Sequence, residues 1–116
     1  MNETYTSPDN MIADTNPAPL KGGITIKKGQ GILNRGTVLG EVTATKLMLK
    51  TDKASADGSE VASVVLAETV DTDQLTDVKA VAFKAGCFFS SALVFGGASV
   101  LADHKTQLRD VNIYTK

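Results

Sequence analysis

Apolar and polar positions along the chain fall into three regimes. Residues 1–23, MNETYTSPDNMIADTNPAPLKGG, carry the scattered apolar side chains Tyr5, Met11, Ile12 and Leu20, and neither a period of 2 nor one of 3.6 fits them. All three prolines, including Pro17 and Pro19, lie here, and the stretch ends in a glycine pair. It reads as an extended N-terminal arm over residues 1–21, disordered in isolation, with a merely frayed terminus as the alternative. From Ile24 onward, ITIKK, TVLGEVT, KLMLK, EVASVVLAETV and VKAVAF are short runs rich in β-branched residues. Gly29, Gly31, Gly36, Gly40, the Asp57-Gly58 pair and the stretch Asp71–Asp77 punctuate them. That spacing predicts a single, mainly antiparallel β domain over residues 22–116. AVAFKAGCFF predicts a hairpin turning near Lys84-Ala85-Gly86. In SVLADHKTQLRDV the period changes: Val100, Leu101, Leu108 and Val111 can share one helical face, with Ser99 as N-cap. NIYTK predicts a closing strand.

Composition narrows the class. A length of 116 residues suits one domain, and the 42% hydrophobic and 22% charged content is ordinary for a globular chain. A domain this small buries roughly two-thirds of its unfolded surface, so oligomerisation would be a natural supplement. Twelve basic residues against thirteen acidic give a net charge of −1, without the basic patch expected of a nucleic-acid binder. The longest apolar stretch, CFFSSALVFGGASVLA, is interrupted by serines and a glycine pair, so no membrane span is expected. MNETYTSPDN lacks a basic and then apolar leader, so no secretory signal is expected either. A single cysteine precludes an internal disulfide and suits a reducing cytoplasm.

Each chemical signature fails on its own requirements. Thr51-Asp52-Lys53-Ala54 resembles the context of a lipoyl-carrying lysine, but such a lysine needs an exposed tight turn. Here Lys50 reverses the preceding charge, and the evident turn is Asp57-Gly58. Lys53 therefore reads as a loop residue, although a small β-barrel carrier or ligand-binding module stays open as the alternative function. Gly29-x-Gly31 lacks the third glycine and the following helix of a dinucleotide fingerprint, so these read as turn and bulge glycines. Asp71, Asp73 and Asp77 resemble the start of a calcium loop, but Thr76 and Ala82 stand where the glycine and bidentate glutamate belong. Cys87 reads as a small buried apolar residue. His104, between Asp103 and Lys105, reads as exposed. No catalytic group, cofactor or metal site is expected, and the protein reads as a binding surface and not as an enzyme.

Four segments in order carry a resemblance: NPAPLKGGI, TKLMLKTDKASADGSEVASVVLAETVDT, VKAVAFKAGCFFSSALVF and LRDVNIYTK. Together they are similar to the bacteriophage lambda head decoration protein family of tailed phages and prophages. The chain departs from the lambda pattern in having no tryptophan. The resemblance implies a β-clip-like bent ribbon with an incomplete barrel, short helical pieces and an extended N-terminal arm. It implies a homotrimer made in the host bacterial cytoplasm that binds the major capsid protein at local three-fold positions. There, on the outer surface of the expanded virion head, it would stabilise the shell against packaged-DNA pressure. The expected arm anchors are Tyr5, Met11, Ile12, Pro17, Pro19 and Leu20, which an extended segment could lay along a sheet edge.

Overall fold

The computed structural model, which describes residues 12–14 (backbone only), 19–97 and 99–115, is mainly β. The strands are β1 (Ile12–Asp14), β2 (Leu20–Ile26), β3 (Ile32–Leu33), β4 (Val38–Glu41) and β5 (Met48–Lys50). They continue with β6 (Val64–Leu66), β7 (Val70–Asp71) and β8 (Val78–Phe88). A 3₁₀ turn at Ser90–Ala92 and one helix, α1 (Leu101–Asp110), precede β9 (Ile113–Thr115).

Five strands close into a barrel-like ring. β2 pairs antiparallel with β8, β8 with β6, β6 with β4 and β4 with β5. The ring is completed by one parallel pair, Ile26 opposite Met48, beside which the Lys27 N–H donates to the Met48 carbonyl at 3.0 Å. The barrel that the resemblance implied as incomplete is thus closed, with its thinnest seam between β2 and β5.

The run Val64-Val65-Leu66 is buried throughout because β6 is covered on both faces. Alternating side chains on a strand point to opposite sides. Val64 and Leu66 join Ile24, Ile26, Leu39, Met48, Ala80 and Ala82 inside the barrel. Val65 turns the other way and, with Val38, meets Phe83, Phe88, Leu93, Leu108 and Ile113 beneath α1. One strand pair therefore separates two apolar clusters.

The predicted hairpin in AVAFKAGCFF does not form; β8 runs unbroken through Lys84, Ala85 and Gly86. A bulge explains how one strand serves both clusters. Leu20 opposes Ala85 but Lys21 opposes Phe83, which leaves Lys84 as the extra residue. Alternation alone sends Ala80 and Ala82 to the barrel and Phe83 to the helix side, and the extra residue then puts Phe88, five positions on, on the same side as Phe83. Gly86, at φ +147°, stands where a Cβ would lie 2.8 Å from the Phe88 ring, so the turn-like residue serves a bent strand.

Gly40 has a different role. It is buried within β4, and a Cβ there would collide with the carbonyl oxygens of Ser59 and Val61. Its bareness lets the loop before β6 cross directly over the barrel wall.

Candidate functional site

The predicted arm anchors divide on inspection. Tyr5, Met11 and Pro17 lie outside the described residues. Ile12 falls in β1, which pairs antiparallel with the far end of β8, Ile12 opposite Phe88 and Asp14 opposite Cys87 with a register shift between them. Pro19 is half-buried, and its Cα lies 3.4 Å from where a Gly86 Cβ would stand. Leu20, at the start of β2, is 60% exposed. β9 flanks the same end of β8 in parallel, Gly86 opposite Ile113 through Phe88 opposite Thr115. Cys87 and Phe88 are therefore held between β1 and β9, and among the described residues β1 is an edge strand of that sheet. A short, irregular edge strand leaves main-chain groups directed outward, where another extended segment could pair.

At the other side of the helix the fold brings together residues that sequence reasoning did not connect. His104 is 1% exposed, against the expectation of an exposed residue. Its Nδ1 meets Gln107 Oε1 at 2.8 Å and its Nε2 meets Ser99 Oγ at 2.9 Å. Gln107 Oε1 also accepts the Ala62 N–H at 2.8 Å, and Ser99 Oγ accepts the Lys53 N–H at 2.7 Å. An amide oxygen can only accept, so Nδ1 carries a proton and donates to Gln107, while Nε2 is hydrogen-bonded to the Ser99 hydroxyl. Both ring nitrogens are thus hydrogen-bonded, and the Phe95 ring stacks on the imidazole with centroids 5.3 Å apart.

Ser99, His104 and Gln107 follow the order of a nucleophile, base and orienting group. Their surroundings suit a structural pin instead. Ser99 is 9% exposed and its oxygen already accepts a backbone N–H, while the imidazole is covered by Phe95. The network's work is to tie the loop between β5 and β6, at Lys53 and Ala62, to α1. A signal was present in the sequence: Leu101, His104 and Leu108 lie on one helical face. Leu108 is buried and Leu101 packs against the same cluster, whereas Val100 is 57% and Val111 37% exposed.

Because its hydroxyl is committed to this network, Ser99 is not the N-cap. Val100 holds that position, and the Asp103 carboxylate accepts its N–H at 2.9 Å. That hydrogen bond, opposed by desolvation and aided by Lys53, holds the Asp103 carboxyl below its ordinary pKa of 3.8. Lys53 Nζ stands 3.5 Å from Asp103 Oδ2, so this loop lysine is tied to the helix start at both its amide and its ammonium. Asp57 is likewise held low, first by the Ser59 hydroxyl and then by the Ser59 N–H at 3.0 Å.

The aspartates of the β7–β8 loop spend oxygens on backbone. Asp71 accepts from the Asp73 N–H, Asp73 from the Gly31 N–H and Asp77 from the Lys28 N–H, at 2.9, 3.2 and 3.1 Å. Gly29 and Gly31, at φ +86° and +75°, form the turn they brace. Cys87 is 5% exposed within β8. Among the described residues no three His, Cys, Asp or Glu side chains converge as a metal site requires, and no helix is long and apolar enough to cross a membrane.

These elements define a small β-barrel protein with one docked helix and an N-terminal segment laid along an open sheet edge. The family model for bacteriophage lambda head decoration protein D matches residues 1–112, and the chain belongs to that family. No curated protein matches it.

Proposed function

We propose that this chain is a capsid decoration protein that cements the outside of an expanded phage head. It binds as a homotrimer at local three-fold positions, contacts the major capsid protein through its N-terminal arm, and reinforces the shell against packaged-DNA pressure. The family match over residues 1–112 carries this reading. The edge position of β1 supports the arm's part in it, since a segment continuing from that edge can add main-chain hydrogen bonds to a neighbouring strand. Residues 1–20 hold Tyr5, Met11, Ile12, Pro17, Pro19 and Leu20 as anchors and contain no lysine or arginine. Ordering one such arm costs free energy on binding, and three arms on one trimer offset it, because tethering raises avidity by ~10²–10⁴.

Deletion of residues 1–11 leaves β1 and the barrel intact and tests the arm directly. The truncated protein is expected to keep its circular dichroism spectrum and its oligomeric state while losing co-sedimentation with expanded heads. Binding at wild-type level would overturn the part of Tyr5 and Met11, and binding retained by a chain lacking residues 1–20 would overturn the arm's role. The carrier alternative is opposed by the fixed position of Lys53, and an unmodified Lys53 in the mass spectrum of native protein removes it.

A further inference from the structure

Among the described residues, two surfaces complement each other. The first is the loop between β7 and β8, whose tip residue Leu75 is 94% exposed. Single exposed leucines are common, but this one stands on a braced support. Besides the three aspartate bonds above, the Thr72 hydroxyl donates to the Gly31 carbonyl at 2.6 Å, and Lys28 Nζ donates to the Leu75 carbonyl itself at 3.2 Å. A side chain presented on a preorganised loop loses little entropy when it is buried by a partner. Around it the loop carries Asp71, Asp73 and Asp77.

The second surface is the mouth of the barrel, a broad open concavity of about 590 Å³ lined by all five strands of the ring. Its apolar wall includes Met48, Val64 and Ala80. Lys46, Lys79 and Lys84 line it too, with Glu41 as the carboxylate among them. An apolar recess edged by lysines fits an acidic segment that presents one apolar side chain. The β7–β8 loop of this same chain has that chemistry, and Leu75 does not fill its own mouth, being 94% exposed.

We propose that copies of the chain associate through this pair of surfaces, the Asp71–Asp77 loop of one copy seating Leu75 in the lysine-edged barrel mouth of the next. The inference deepens the trimer reading by naming the surfaces that meet. Unlike surfaces make a heterologous contact, which closes into a ring when the rotation allows. The opposite charges orient the encounter, while burial of Leu75 in the recess supplies most of the affinity.

Sedimentation of the full chain tests this without any shell. The wild type is expected as a trimer. Leu75→Asp, and separately Lys79→Glu with Lys84→Glu, are expected to weaken association at least about thirtyfold and to yield monomers with unchanged circular dichroism. All three residues are exposed, so folding is not at stake. Mixing the two variants restores one intact loop and one intact mouth, and chemical cross-linking should then recover mixed pairs. Variants that associate like the wild type, a monomeric wild type, or no mixed pairs on mixing would each overturn the proposal. A wild-type dimer dispersed by the same substitutions supports the contact and overturns the trimer. Loss of shell binding by a protein that still assembles normally counts against the cementing function alone.

Discussion

The barrel interior and the helix side share β4, β6 and β8 but are secured by different physics. Inside the barrel the buried cluster is apolar, and the backbone ladder of five strands holds the walls. On the helix side an apolar cluster of similar size is supplemented by the Ser99–His104–Gln107 chain, which pins a long loop to α1. α1 has no polar residue at its N-cap and a single strand, β9, after it. A closed sheet keeps its shape through its own ladder, whereas a lone helix over a loop needs directional bonds to fix where it sits. The barrel is therefore expected to tolerate loss of any one polar bond and to be sensitive to lost volume, and the helix side the reverse.

The largest effect should come from the barrel. Leu66 is fully buried, and Leu66→Ala removes contacts at a wall shared by β4, β6 and β8, with an expected loss of about 3 kcal/mol in urea unfolding. On the helix side, His104→Ala removes the ring partners of the Ser99 hydroxyl and the Gln107 side-chain oxygen and opens space beside Phe95. It should cost about 2 kcal/mol. Hydrogen exchange should then speed up at the Lys53 and Ala62 amides while those of β2 and β8 stay protected. A uniform rise in exchange across both regions would show that the two clusters are not separable.

Thr51 sharpens the contrast with the opposite sign. Its side chain is fully buried, and its hydroxyl has no hydrogen-bond partner among the described residues. Thr51→Val keeps the shape and removes the unmatched oxygen, so a gain of about 1 kcal/mol in unfolding free energy is expected.

The smallest effect is the pH response of the helix start. The folded pKa of Asp103 lies below its ordinary 3.8, so its contribution is fully present above that value and is lost as pH falls through the lowered folded value. Asp103→Asn should remove only that part of the acid-side decline in melting temperature. An unchanged acid profile would show that the Val100 hydrogen bond contributes nothing.

Much of the barrel was legible along the chain. β4, β5 and β6 lie within the short apolar-rich runs TVLGEVT, KLMLK and EVASVVLAETV, and β9 lies within NIYTK, because local pattern and turn chemistry report which segments are extended. β8 was misread at Lys84-Ala85-Gly86 because small residues and glycine signal a turn and a bulge alike. Only the register against Leu20 and Lys21 distinguishes them. Of the arm, the pattern showed only its lack of period, and the role proposed for it came from the resemblance.

The amino-acid order by itself determined that the chain is mainly β and that a helix precedes the last strand, since these depend on patterns among near neighbours, and the order of four segments along the chain pointed to its family. Tertiary structure alone decided that the ring closes between Ile26 and Met48, that Val64 and Val65 serve opposite cores, and that His104 is buried between Ser99 and Gln107. Those outcomes depend on what covers each face once distant segments meet, and a strand or helix does not carry that information until its partners arrive.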